Sequence, residues 1–157
     1  MEKILMTTAG FAAMEKELQH LKSVERPAVI EAIAEARAHG DLSENAEYSA
    51  ARERQSFIEG RIQELEAVTS RAEVIDPKTM SGDTVKFGAT VTVADDDTGD
   101  EHTYQLVSEH EANIDQGKIS ITAPIGRAMI GKSVGDIANV NSPKGAKSYE
   151  IVKIAYV

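Results

Sequence analysis

YSAARERQSFIEGRIQELEAVTSRA, residues 48–72, decides the fold of the first half of the chain. Apolar or small side chains recur at Tyr48, Ala51, Ile58, Ile62, Leu65 and Ala72, and only Gln55 and Thr69 interrupt the series. Steps that alternate between three and four residues put these positions on one narrow seam, the heptad signature of a coiled-coil helix. Upstream, Phe11, Met14, Leu18 and Leu21 keep the same stepping. The pattern loses register near Pro27, where Glu25 takes an apolar slot, and resumes at Val29, Ile33 and Ala36. Two such helices joined by a short break predict an antiparallel hairpin. A helix from Thr8 to His39 would be roughly 48 Å long at 1.5 Å per residue. That exceeds the width of a small domain, so the hairpin projects, with its tip at HGDLSENAEY (39–48). Pro27 is expected to kink or loosen the first helix.

The rest of the chain has a different texture. From about residue 76, Pro77, Gly82, Gly88 and Gly99 punctuate short Val/Thr/Ile runs, which is the language of strands and turns. The reading is therefore α+β. Residues 1–75 form a helical hairpin, 76–83 (DPKTMSGD) a linker, and 84–157 an antiparallel sheet domain with strands at Thr90–Val93, Thr103–Val107, Ile119–Thr122 and Tyr149–Tyr156. A short helix is expected at Pro124–Ile130, since proline suits a first helical position. The 157 residues carry 17 Lys+Arg against 26 Asp+Glu, a net charge of −9. Coating nucleic acid by bulk charge is excluded, because that needs a positive surface. The absence of cysteine excludes disulfides, thiolate metal sites and a thiol nucleophile. No apolar run approaches the ~20 residues of a membrane span, and MEKILMTTAG has no secretory signature. A cytoplasmic location without membrane contact is expected.

Any chemistry lies at the tip. Gly40 can end the first helix, and Asp41, Glu44 and Glu47 follow within a few residues. Asp41-x-x-Glu44 has the spacing of a capping box, which would need no ligand. The same two carboxylates, held at the end of a long arm, could instead form part of a site for a hard cation such as Mg²⁺, completed by a partner. Residue types and spacing leave both readings open. The acidic run Asp95, Asp96, Asp97, Asp100 and Glu101 resembles a calcium loop but fails its pattern, with Gly99 and Asp100 misplaced, so a solvated hairpin turn is expected. His20, His39, His102 and His110 lack paired zinc-ligand spacing.

IAEARAHGDLSENAEYSAARERQSFIEGRIQELE (33–66), FGATVTV (87–93), PIGRAMIGKSVGD (124–136) and YEIVKIAYV (149–157) closely resemble the GreA/GreB family of bacterial transcript-cleavage factors, with every block in order. The resemblance implies an arm that enters the secondary channel of RNA polymerase and reaches a backtracked RNA 3′ end. It implies that Asp41 and Glu44 match the family's tip acids, which help bind a second Mg²⁺ and orient the attacking water. The ion would be shared with the polymerase, which performs the cleavage, so the protein would be a factor and not an enzyme, with no metal held by the isolated chain. Arg37 and Arg52 flank the tip and are assigned to the extruded RNA. Ser43, Asn45 and Tyr48 lie in the matched motif and are assigned to tip positioning, with Tyr48 doubling as the first seam residue. The second half resembles a domain similar to FKBP-type prolyl isomerases that docks on a coiled coil of the polymerase β′ subunit. Pro124, Ile125 and Gly126 are assigned to that docking. Relatives often read Ser-Pro where this chain has Ala123-Pro124, which leaves the fine contacts there open. The free protein is expected to be a monomer. Two alternatives accompany this reading: a paralogue that fills the channel and inhibits the polymerase, which usually alters the tip acids, and a prolyl isomerase or chaperone, which the scarcity of aromatics argues against.

Overall fold

In the computed structural model, which describes residues 2–41 and 45–157, the helix-forming composition of the first half builds α1 (Thr8–His20) and α2 (Arg26–Ala38) on one arm of the hairpin. The other arm is the long α3 (Ala46–Ser70). The seam is buried: Met14, Leu21, Val29, Ile33 and Ala36 on the first arm face Ala51, Ile58, Ile62, Leu65 and Val68 on the second. The buried position late in α3 is Val68; Thr69, its neighbour in the series read from sequence, is only half-buried. Charged side chains bridge the two arms on either flank of this seam. Arg61 forks onto Glu17 (2.7 and 3.0 Å) and Arg26 onto Glu59 (2.8 and 2.7 Å). Lys22 meets Glu66 at 2.8 Å and Arg54 meets Glu25 at 2.6 Å. Rising numbers on one arm meet falling numbers on the other in the Glu17–Arg61 and Glu25–Arg54 pairs, so the arms are antiparallel.

The break read at Pro27 has a definite form. Leu21–Glu25 is a π-helical turn between α1 and α2, and the Arg26 amide donates back to the carbonyl of Leu21. Proline at position 27 sits in the first turn of α2, where its missing N–H costs least.

The contacts divide the chain elsewhere than the sequence boundaries at 75 and 83. Phe11–Ala72 belong to the helical unit, whereas Lys3–Gly10 join Glu73–Val157. The reason is a strand pair absent from the sequence reading: β1 (Ile4–Thr7) pairs with β2 (Ala72–Ile75). The segment read as a linker is also structured. Asp76 accepts a hydrogen bond from the Lys78 amide (3.0 Å), Pro77–Thr79 form a 3₁₀ turn, and Pro77 is buried.

The second unit is built on a five-stranded sheet of β3 (Thr90–Asp95), β4 (Glu101–Val107), β5 (Lys118–Ser120), β6 (Ile137–Ser142) and β7 (Gly145–Ala155), in the order β5-β4-β3-β7-β6. Strand β6 was not read from the sequence. The sheet is mixed, which corrects the antiparallel expectation. β4 pairs with β5 in parallel, because the connection through the 3₁₀ turn Ile114–Gln116 carries the chain back before it re-enters the sheet. Alternation in β3 buries Val91, Val93 and Asp95. A bulge between Thr92 and Val93 skips one residue of β7, so Thr92 faces Lys153 and Val93 faces Ile151. Val85, Ala89, Val91, Val93, Leu106, Ile119, Ala138 and Ile151 form one core, closed by Met129 of α4 (Pro124–Met129). Among the described residues no helix is long and apolar enough to cross a membrane.

Candidate functional site at the hairpin tip

α2 stops because Gly40 leaves helical geometry at φ +109°, a value open to glycine, while His39 before it is still right-handed and donates its amide back to the Ala36 carbonyl. α3 starts one residue after Asn45, whose extended backbone (φ −87°, ψ 100°) is that of an N-cap. Its side chain does two jobs. Oδ1 accepts from the Tyr48 amide (3.0 Å), and Nδ2 donates to the Ala36 carbonyl at the end of α2 (2.7 Å). One planar amide thus satisfies a spare donor of one helix and reaches a terminal carbonyl of the other. Aspartate would keep the first bond and lose the second.

The N-cap of α3 is Asn45, four residues after Asp41, with Asn45-x-x-Tyr48 as the capping pair; the pair Asp41-x-x-Glu44 includes Glu44, which lies outside the described residues. Asp41 is exposed and lines a shallow depression with His39, Asn45, Ala46 and Glu47. His39 Nδ1 lies 3.5 Å from a Glu47 carboxylate oxygen, an exposed pair that bridges the two helix ends. Ser43 and Glu44 lie outside the described residues. Among the described residues no three His, Asp or Glu side chains converge as a complete metal site. The donor set at hand, an exposed Asp41 carboxylate not used as the cap of α3, suits a hard cation that takes further ligands elsewhere. Tyr48 is half-buried at the start of the seam.

The three arginines near the tip are not equivalent. Arg52 and Arg54 are two residues apart, about 200° around a helix, so they face opposite flanks. Arg54 is engaged by Glu25, and this bond, with that from His20, holds the Glu25 carboxyl below its usual range. Arg37 and Arg52 are exposed and have no ion-pair partner among the described residues.

In the second unit, the residues assigned to docking differ in what they present. Pro124 is exposed, Ile125 packs against the core, and Gly126 is buried. A Cβ on Gly126 would lie 2.2 Å from the Ser120 carbonyl oxygen, so this glycine is required by close backbone packing and offers no contact surface. Ala123 occupies the N-cap of α4 without a side-chain bond. An apolar groove nearby is lined by Leu5, Val85, Phe87, Ile121 and Ile130, with Phe87 its one aromatic. The acidic run forms the β3–β4 turn. Asp95 is buried, accepts from the amides of Asp97 (2.8 Å) and Thr98 (3.3 Å), and meets Lys147 at 3.0 Å. The Lys147 bond above all holds its carboxyl below the usual range.

Sequence models of a known family cover both halves. "Transcription elongation factor, N-terminal" matches residues 4–74, and "Transcription elongation factor, GreA/GreB, C-term" matches 80–156. Proteins called transcription elongation factor GreA are similar along their whole length. The one from Ruegeria pomeroyi is 65% identical over 156 residues, 99% of each chain, and that from Phenylobacterium zucineum 59% over 157 residues, all of each chain. Among solved structures, GreA factor homolog 1 (Gfh1) of Thermus thermophilus is 29% identical, with 98% of this chain and 99% of that one covered and a TM-score of 0.46. The elongation factor GreA/GreB of Nitrosomonas europaea is 25% identical, with 98% and 100% covered and a TM-score of 0.43. With both domain models matched in order and full-length relatives this similar, the chain belongs to the GreA/GreB family of transcription elongation factors.

Proposed function

We propose that this elongation factor acts by transcript cleavage: its arm enters the secondary channel of RNA polymerase and brings the tip acids to a backtracked RNA 3′ end. The observation that carries this reading is the division of labour at the tip. Asn45 caps α3 and ties it to α2, and this fixes the end of the arm where Asp41 is exposed beside His39 and Glu47. Asp41, with Glu44, would hold a Mg²⁺ ion jointly with the polymerase. When bound, that ion supplies Lewis-acid charge for phosphodiester hydrolysis. The carboxylates orient the attacking water and accept its hydrogen bonds. Arg37 and Arg52, exposed and without an ion-pair partner among the described residues, would hold the phosphates of the extruded RNA. The polymerase performs the bond cleavage, so the factor is not itself an enzyme, and it works in the cytoplasm as a monomer. Pro124, on the exposed side of α4, and its neighbours would meet the β′ coiled coil.

The test uses a stalled, backtracked bacterial elongation complex with 5′-labelled RNA and Mg²⁺. The parent protein shortens the RNA and lets elongation resume. Asp41→Asn stops the shortening and keeps polymerase binding within about tenfold. Slowed elongation without cleavage by the parent would favour an inhibitory channel-binding protein. No effect on the complex, together with peptide isomerisation, would favour a prolyl isomerase, against which the single aromatic of the apolar groove speaks.

A further inference from the structure

The buried positions of the first arm contain an arithmetic irregularity. From Leu21, a seam of 3.5-residue period would fall at 24/25, 28, 31/32 and 35. The side chains actually buried are Val29, Ile33 and Ala36, each about one residue late. A π turn takes up one residue more than an α turn. The turn Leu21–Glu25 therefore absorbs one inserted residue and keeps the seam on the same face before and after it.

We propose that this turn is a joint in the arm, the place where the first helix opens locally while α1 and α2 stay closed. Four observations converge on it. Leu21 and Val29 stand eight residues apart with no buried side chain between them, one more than the seven from Met14 to Leu21, whereas later on α2 the spacing is three or four. Pro27 has no N–H to return to the carbonyls one turn back. The Ser23 hydroxyl donates to the Gln19 carbonyl (2.7 Å), a back-bond that weakens and bends a helix. Finally, the seam slot between Leu21 and Val29 is filled by Glu25, held by charge and not by packing, through His20 (3.2 Å) and Arg54 (2.6 Å). The Lys22–Glu66 pair and the Arg26–Glu59 fork sit on this stretch and tie it to α3, so an opening there stays local. Sparse burial and exposed hydrogen bonds are the marks of low local stability.

Amide-resolved hydrogen exchange on the full chain tests this. Amides of Val24, Glu25, Arg26 and Ala28 are expected to exchange at least tenfold faster than those of residues 14–18 and 30–36. Deletion of Ser23 together with Pro27→Ala restores a heptad interval of seven residues between Leu21 and the Val29 side chain and leaves no proline inside the now continuous helix. It should slow the same amides to the flanking rates and leave the helical signal and Tm unchanged or higher. Pro27→Ala alone, which restores a donor without changing length, should slow exchange by less than the combined change does. Uniform protection across residues 14–36 in the parent would overturn the joint. So would a combined variant that loses the helical hairpin, since the extra residue would then be needed for the seam.

Discussion

The helical arm and the sheet unit solve the same problem with different means. The arm has a seam one side chain wide on each helix and relies on ion pairs along its flanks, all of them partly exposed. The sheet unit buries residues from five strands and α4 in one contiguous core. Reach explains the contrast. On the proposed function, the arm carries a carboxylate far from its base and cannot also surround that carboxylate with a core. The arm therefore spends its few packing positions on straightness, and the sheet unit holds most of the cohesion.

The largest expected effects test this directly. Ile151→Ala in the sheet and Ile62→Ala in the arm remove the same atoms from sites 0% and 2% exposed. The sheet variant should fall at the high end of the ~2–5 kcal/mol range for such truncations and the arm variant at the low end, because two helices can close over a gap that a five-stranded sheet cannot. Equal losses in urea unfolding would remove the distinction. Gly126→Ala comes next, at about 1–3 kcal/mol or more. Its Cβ would meet the backbone oxygen of Ser120 at 2.2 Å, and backbone yields less readily than a side chain. The loss should appear in the sheet's near-UV signal from Tyr104 and Tyr149, with the helical signal retained. Asn45→Ala should cost ~1 kcal/mol as a lost cap. Asn45→Asp should recover part of that stability, since it keeps the bond to Tyr48. It should not recover cleavage if the tie to Ala36 is what sets the tip. Full activity in Asn45→Asp would show that the tie to α2 is dispensable.

A smaller and opposite effect is expected at Gly60, in the interior of α3. A Cβ there meets nothing within 4 Å, so Gly60→Ala should stabilise the arm by ~0.5–1 kcal/mol. Destabilisation would mean that this helix bends at Gly60.

How much of this was readable beforehand follows from the kind of information each feature needs. The seam was legible because burial imposes a period on Ile58, Ile62 and Leu65 that composition cannot hide. The disturbance at Pro27 was legible as well, but not its form, since α and π turns differ by one hydrogen-bond register and not by residue type. At the tip, Asp41 and Glu44 were legible as residue types, while spacing alone left capping and cation binding both open, because Asp-x-x-Glu suits either. The stronger signal was an asparagine just before a helix-forming run. In the sheet, Val91 and Val93 announced their strand. The parallel placement of β5 and the close packing of Gly126 depend on residues distant in sequence, and β1 hides in four residues directly ahead of a helix.

Acid is expected to separate the two units by the smallest margin. Glu17, Glu25 and Glu59 are each held below the usual carboxylate range, chiefly by hydrogen bonds from Arg61, Arg54 and Arg26. A carboxyl whose folded pKa is lowered contributes stability that is complete above its unfolded value, near 4.3 for glutamate, and that is lost as pH falls through the folded value. Three such groups bind the arms of the hairpin, and in the sheet unit Asp95 is held down chiefly by its bond from Lys147. Exposed pairs contribute little each and are screened by salt. Acidification below about pH 4 should therefore reduce the helical far-UV signal before the tyrosine signal of the sheet changes, and added salt near neutral pH should shift the arm in the same direction by less. If both signals fell together, the flank ion pairs would not be what distinguishes the arm, and its seam alone would have to carry it.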